Sequence, residues 1–237
     1  MWKAMQGHEI RKIAFDQLEL SDLYVDAVYE GGTASNIGAE VLHHLLPKCG
    51  NSGGFRKVKS ESGTAFAYVV LYTSMEELEW PDYLDPETGI FRYYGDNRKP
   101  GRPLTETKAK GNKLLEDVFN RLNGNGELKN IPPFLIFKKT GEKRNVQFLG
   151  LAVPGNPKIS PDRDLVAFWR TAKGERFQNY EAYFTVLDTG EKPVLRKWLQ
   201  SRITDIEHSD QYAPDVWRAF QKSGRNGIKA LQAPRLF

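Results

Sequence analysis

The chain has 237 residues, 40% of them hydrophobic and 27% charged, with a formal net charge of +4. That length carries one generous core or two small ones, and the ordinary composition excludes disordered and fibrous classes. No apolar run approaches the ~20 residues of a membrane span, and the N-terminus shows no apolar signal-peptide segment. The single cysteine, Cys49, excludes an intrachain disulfide and fits a reducing, cytoplasmic setting, where it reads as a partly exposed bystander thiol. With only His43 and His44 near it, Cys49 is too sparsely accompanied for a zinc site. The charge of +4 decides little by itself; its distribution along the chain matters more.

Alternation predicts strands over residues 10–18 and 23–30. Ser35 or Asn36 is placed to cap a helix that starts near Gly38 and stops before Pro47. Residues 49–57 form a loop whose glycines let the backbone approach another molecule closely, flanked by Arg56, Lys57 and Lys59. The alternative there is a hairpin turn with a solvated basic flank. Ala67-Tyr-Val-Val-Leu-Tyr-Thr73 is a β-branched and aromatic run, a buried strand. A short strand follows at 90–94, and a helix opens at Thr105 or Thr107 and runs to Leu122, with Leu114, Leu115, Val118, Phe119 and Leu122 on one face. Strands are predicted at 134–138, 146–153, 165–171 and 180–187, and helices at 193–203 and 214–222. The expected class is α+β: a curled, mostly antiparallel sheet or half-open β-barrel with helices packed outside. Neither a repeat nor a long linker divides the chain, so one domain over 1–237 is expected, with a core at about 23–187 and a helical part at about 188–237. The basic, weakly patterned segments 222–227 and 232–237 read as a linker at which a longer chain is cut.

The chemistry concentrates between the strand at 67–73 and the helix near 110. Residues 75–89 hold six carboxylates and no Lys or Arg, together with Trp80 and Tyr83. From Arg92 to Lys113 the sign reverses, with seven cations against two acids, a net of +5. Cations suit phosphates, because neutralising them releases counterions. Flat rings suit a base lifted out of a helix, and a carboxylate reads cytosine by accepting a hydrogen bond from its exocyclic amine. Protonation of the carboxyl or of the ring nitrogen allows a second bond. Pro100 and Pro103 stiffen the basic loop, which favours contact over a solvated charge cluster.

The order strand, Tyr/Trp-acid loop, G-x-F-x-Y-x-G, basic G-R loop and G-N-x-x-L helix resembles the core of an SRA (SET- and RING-associated) domain, a reader of 5-methylcytosine. More closely, VYEGG, LLP-x-x-G-N-x-G-G-F, VVLYTS, LDPETG-x-F-x-YYGDNR-x-PGR and F-LGLAVPG resemble the N-terminal part of the MspJI/AspBHI-like modification-dependent restriction endonucleases. These words run in order from about Val28 to Gly155. The resemblance implies an SRA-like fold that flips 5-methylcytosine, or 5-hydroxymethylcytosine, from duplex DNA. It implies a base pocket of Trp80, Asp82 and Tyr93, with Tyr83 as the alternative to Trp80. It also implies DNA contacts at Ser52, Gly53, Gly54, Arg56 and Lys57, and at Asn97, Arg98, Lys99 and Arg102. No cofactor is expected, the implied partner is double-stranded DNA with a modified cytosine, and a nuclease domain is expected beyond Phe237. Trp80 and Tyr93 as core aromatics and Asp82 as a turn cap is the structural alternative.

Two other classes compete. Pro81-Asp82 followed by Glu106-Thr-Lys108 satisfies the loose P-D…E-x-K pattern of Mg²⁺-dependent nucleases. That pattern is common by chance and needs both acids on neighbouring strands, whereas Glu106 reads as loop. An RNA- or protein-binding module on the same fold is the third reading.

Overall fold

A computed structural model of the chain describes residues 10–233 apart from 35, 64 and 125. The described strands are β1 (Lys12–Ile13), β2 (Val28–Tyr29), β3 (Phe55–Lys59), β4 (Phe66–Thr73), β5 (Tyr83–Leu84), β6 (Ile90–Tyr94), β7 (Phe134–Lys139), β8 (Val146–Pro154), β9 (Leu165–Ala172) and β10 (Glu175–Val186). They join one sheet in the order β3-β4-β7-β8-β10-β6-β5, with β2 on β8, β1 on β2 and β9 on β10. Only β1–β2 and β4–β7 are parallel. The architecture is therefore α+β, with a large, unclosed, mostly antiparallel sheet.

The helices are α1 (Val41–Leu45), α2 (Gly111–Asn123), α3 (Arg196–Thr204), α4 (Asp215–Ser223) and α5 (Ile228–Leu231). Among the described residues none is long and apolar enough to cross a membrane. The β-branched runs of β4 and β7 lie side by side at the centre, where Val69, Val70, Leu71, Leu135 and Ile136 are all buried. Trp198, Trp217 and Phe220 of α3 and α4 belong to the same buried cluster. A parallel pair needs a crossover connection. Here it is everything between Thr73 and Phe134, so the acidic loop, β6, the basic loop and α2 all belong to one excursion that starts and ends in the central sheet.

Several elements differ from the sequence expectation. Residues 10–18 give only the two residues of β1 and then a 3-10 helix, Phe15–Leu20. Leu18 alone of that helix is buried while Leu20 is exposed, so no strand face exists to cover. In 23–30 only β2 forms a strand, with Leu23 in an isolated bridge to Val194, because Asp26 turns the chain between them at φ 64°. The helix before Pro47 is broken in two, a 3-10 turn Ile37–Ala39 capped by Asn36 and then α1 capped by Glu40. Ser35, the other cap candidate, and residues 234–237 lie outside the described residues. Cys49 is buried rather than partly exposed, and burial pushes its thiol up to about 11. Finally, α2 starts at Gly111 rather than at Thr105 or Thr107, since Lys110 takes φ 50° and Thr107 Oγ1 donates instead to Asp96 Oδ2 at 2.7 Å.

Candidate nucleic-acid interface

Strand β6 divides the aromatic residues. Side chains alternate across a strand, so Phe91 and Tyr93 face one side of the sheet while Arg92 and Tyr94 face the other. Tyr93 packs against Phe55 and Phe91 and lines a cavity of about 690 Å³. The cavity is walled by Ser52, Gly53 and Gly54, by Tyr72 and Thr73 at the end of β4, by Glu77 and Arg98, and by Lys139, Lys143 and Arg144 of the β7–β8 hairpin. Five cations (Arg56, Arg98, Lys139, Lys143, Arg144) face three acids (Glu40, Glu77, Asp96) around it, so the wall is net positive. Tyr72 is the half-buried ring on the cavity's strand side, with Arg56 5.5 Å and Lys139 5.8 Å from its centroid.

Asp82 lies directly behind this wall. Its Oδ1 accepts from the Tyr94 amide at 2.8 Å and its Oδ2 from Thr73 Oγ1 at 2.8 Å. Thr73 and Arg98 both line the cavity, and an Arg98 guanidinium nitrogen stands 3.6 Å from Asp82 Oδ2. The carboxyl is 4% exposed, and burial pushes it up to about 6 against the lowering pull of the Tyr94 amide, Thr73 and Arg98. Both oxygens are fixed in direction by the ends of β4 and β6, which gives an oriented acid.

Trp80 does not share the cavity. It packs with Tyr94, Phe168 and Phe177 in a second cluster, at ring separations of 6.0, 6.1 and 6.2 Å. Since Tyr94 faces away from Tyr93, Trp80 and Tyr93 are on opposite sides of the sheet and cannot enclose one base. Tyr83 fails for the same reason, because it pairs with Arg92 and projects with it. The expectation for Trp80 is therefore corrected: its ring anchors the acidic loop.

The basic residues also divide. Ser52, Gly53 and Gly54 are exposed on the cavity's lip, and Gly53 takes φ 84° with open space around it. Arg56 is engaged inside the protein rather than presented at the surface. It is buried, with Nε on the Gly53 carbonyl at 2.8 Å, Nη1 on the Gly50 carbonyl at 2.6 Å and Nη2 on Glu40 at 2.9 Å. Two of the three nitrogens hold the glycine loop in place, and the third ties it to the cap of α1. Asn97 is likewise buried, its amide donating to the Gln178 carbonyl at 2.8 Å and the Arg102 carbonyl at 3.3 Å. Lys99 and Arg102 are exposed, while Lys57 is half-buried along the Phe66 ring and opens on a second groove with Lys59, Lys110 and Lys113.

The Gly95-Asp96-Asn97 and Gly111-Asn112 words belong to one buried network. Asp96 accepts from the Gly111 and Asn112 amides at 3.0 and 2.9 Å, capping α2 from outside. Asn112 and Asn179 close the network, and a Cβ on Gly95 would lie 1.9 Å from Asn112 Oδ1. The competing nuclease arrangement has no support in this geometry. Asp82 is committed to Thr73, Tyr94 and Arg98, whereas Glu106 is an exposed partner of Lys110. Among the described residues no group of three His, Cys, Asp or Glu could hold a metal ion.

Tyr72, Thr73, Lys139, Lys143 and Arg144 were not singled out by sequence. Tyr72 reads as core within its run, and its one distinguishing signal is its place at the polar end of a buried strand. The cations of 139–144 read as hairpin turn residues.

Residues 23–233 match the family model described as restriction endonuclease AspBHI N-terminal. The solved DNA recognition domain of the cytosine modification-dependent restriction endonuclease LpnPI is 36% identical, covers 98% of this chain and 100% of that one, and superposes with a TM-score of 0.84. The DNA modification-dependent restriction endonuclease AspBHI is 38% identical with a TM-score of 0.82, over 95% of this chain and 56% of that one. MspJI, solved with a 27-mer oligonucleotide, is 22% identical with a TM-score of 0.70 and shares the fold over 91% of this chain and 55% of that one. The chain thus spans little more than half of the two longer enzymes. A search of the curated proteins finds no match.

Proposed function

The chain belongs to the AspBHI N-terminal family of restriction endonucleases, and from that premise we propose that it binds duplex DNA and flips a 5-methylated cytosine into the cavity beneath the glycine loop. The observation that carries this reading is the buried, oriented carboxyl of Asp82, hydrogen-bonded at both oxygens, directly behind a cationic cavity lined by Tyr72 and Tyr93.

Each part has a task. The rim cations Lys139, Lys143 and Arg144 and the exposed Lys99 and Arg102 hold phosphates, a contribution common to all sequences. The half-buried ring of Tyr72, with the buried Tyr93 lining the cavity beyond it, receives the extruded base, whose stacking offsets the few kcal/mol that flipping costs. Arg98 covers Asp82 in the free protein and moves to a phosphate when the base enters. The uncovered Asp82 then presents one acceptor and, when protonated, one donor. That pair complements the amine and ring nitrogen on the Watson–Crick edge of cytosine. The glycine loop closes over the base without side chains in the way. A methyl adds about 1 kcal/mol if an apolar niche takes it.

The likeness to the LpnPI recognition domain over the full length of both chains supports cytosine as the base. The cutting activity is proposed to reside in a further part of the whole protein, as the greater length of AspBHI suggests. The experiment is affinity for matched duplexes with and without 5-methylcytosine, paired with a fluorescent base analogue at the target position. The reading expects tighter binding to the modified duplex and brightening of the analogue on binding. Equal affinity for both duplexes and a dim analogue would exclude it. Mg²⁺ added to the same mixtures should leave the DNA intact; cleavage by this chain would favour the nuclease alternative.

A further inference from the structure

The β9–β10 hairpin ends in an aromatic and cationic surface that the cavity does not use. β10 pairs with β6 only from Glu181 and with β8 only from Phe184, so before these residues β9 is its one strand partner among the described residues. Residues 169–178 thus stand out from the sheet as a two-stranded arm. Lys173 and Gly174 close it at φ 53° and 78°, the paired left-handed turn that matches hairpin twist. The arm is anchored on one face, where Phe177 is buried against Trp80 and an Arg170 guanidinium nitrogen donates to the Glu79 carbonyl at 2.8 Å. On the other face Trp169 is 55% exposed, with the Arg176 guanidinium 4.6 Å above its ring. An exposed indole with a cation already stacked on it contributes little to a core and is well suited to contact with another molecule.

Two observations set this arm beside the cavity. Asn97 joins the Gln178 and Arg102 carbonyls, which fastens the basic loop to the hairpin. Tyr93 stands opposite Ala182 and Trp169 opposite Gln178. Ala182 and Gln178 are four residues apart on β10 and share a face, so Trp169 is on the same face as Tyr93. Four residues of strand span about 14 Å, the axial length of about four base-pair steps. Arg170, Lys173 and Arg176 outnumber Glu175 on the arm, which suits a polyanion.

We propose that the β9–β10 hairpin is a second DNA-contacting arm, whose Arg176–Trp169 pair grips the duplex that flanks the flipped base. Arg176 and Lys173 meet phosphates about four base pairs away, and Trp169 lies against the adjoining sugar. The inference rests on the DNA-binding part of the proposed function and is independent of which base is flipped.

The test compares the wild-type chain with a Trp169→Ala/Arg176→Ala double variant on modified and unmodified duplexes truncated to about three base pairs on one side of the target or the other. Wild type should lose about tenfold in affinity when one particular side is truncated. The double variant should lose about tenfold on the long duplex, nothing further on that truncation, and about one unit of salt slope. Both residues are exposed, and an unchanged circular dichroism spectrum will show that the variant is folded. Full affinity of the double variant for the long duplex overturns the arm, whether or not the modified base is preferred. A variant that loses flank dependence in a chain without base preference upholds the arm and sinks the pocket. A wild-type chain that binds no duplex overturns both.

Discussion

Arg98 reaches two acids at once, with one guanidinium nitrogen 2.6 Å from Glu77 Oε2 and another 3.6 Å from Asp82 Oδ2. Glu77 is on the exposed loop and Asp82 is buried behind the cavity wall. The exposed pair is worth little. The second is the consequential one, because Arg98 is the only side chain with an ion pair to Asp82 among the described residues, and in the proposed function an entering base displaces it.

Under the proposed function that geometry gives modified-base binding a pH dependence of definite sign. Asp82 in the free protein is pushed up to about 6 by burial. Displacing Arg98 removes one of the groups that lowers it and so raises it further, and binding through a neutral carboxyl takes up a proton. Affinity for the modified duplex should therefore rise about tenfold as the pH falls from 8 to 6, and flatten below 6. Asp82→Asn, whose amide carries the same donor and acceptor permanently, should abolish the dependence and keep most of the preference. Asp82→Ala should lose ten- to a hundredfold on modified DNA and little on unmodified DNA. Titrating all three proteins by fluorescence anisotropy measures this; affinity that falls on acidification would mean that the carboxylate is the reader.

The same group affects stability with a definite sign. Its folded-state value is raised above the ordinary 3.8, so the folded protein binds the proton more tightly than the unfolded one. Asp82 thus costs stability as the pH rises between about 4 and 6, and the full cost persists above 6. Asp82→Asn should keep or raise the thermal midpoint at pH 8, with the advantage shrinking toward pH 4. A large loss at pH 8 would mean that the Arg98 ion pair outweighs the burial.

Tyr72 and Trp80 separate the cavity from the anchor. Tyr72→Ala should reduce the preference for modified DNA by roughly tenfold, a stacking loss of ~1–3 kcal/mol, while the half-exposed position tolerates the change. Trp80→Phe should leave that preference within about twofold and instead lower the unfolding free energy by about 1 kcal/mol through lost packing with Tyr94, Phe168 and Phe177. The paired measurement is binding plus urea denaturation. The reverse pattern would restore Trp80 to the pocket.

Much of this was legible in the residues. The β-branched and aromatic run of β4, the apolar face of α2 and the continuous apolar runs of β7 and β8 follow from local sequence pattern alone. The order of rare words pointed to the family. What remained hidden depends on which side of a strand a residue faces. Trp80 and Tyr93 look equivalent as aromatics near Asp82, yet the direction of Trp80 is set by Phe168 and Phe177, which come from β9 and β10 nearly a hundred residues later. Arg56 and Asn97 look like DNA contacts in a basic loop because sequence does not reveal that carbonyls of Gly50, Gly53 and Gln178 already occupy their donors. The early segment reads as strand because its alternation is real, but only Ile13 and Leu18 are buried in the core, too far apart in the chain to make one strand face.

Arg56 offers a decisive contrast between a side chain that builds the loop of the proposed interface and one that would touch DNA. Its guanidinium is 6% exposed and spreads three bonds in three directions, to Gly50, Gly53 and Glu40. Arg56→Ala leaves two loop carbonyls without donors and Glu40 without its cation, so the unfolding free energy should fall by about 3 kcal/mol. Arg56→Lys carries the charge without the planar fork and should recover less than half of that. In DNA titrations scaled to the folded fraction, Arg56→Lys should keep the wild-type salt slope, whereas Lys143→Ala on the exposed hairpin should lower it by about one unit. A stable Arg56→Ala protein with a reduced salt slope would make Arg56 a phosphate contact after all, and would mean that the loop opens toward DNA on binding.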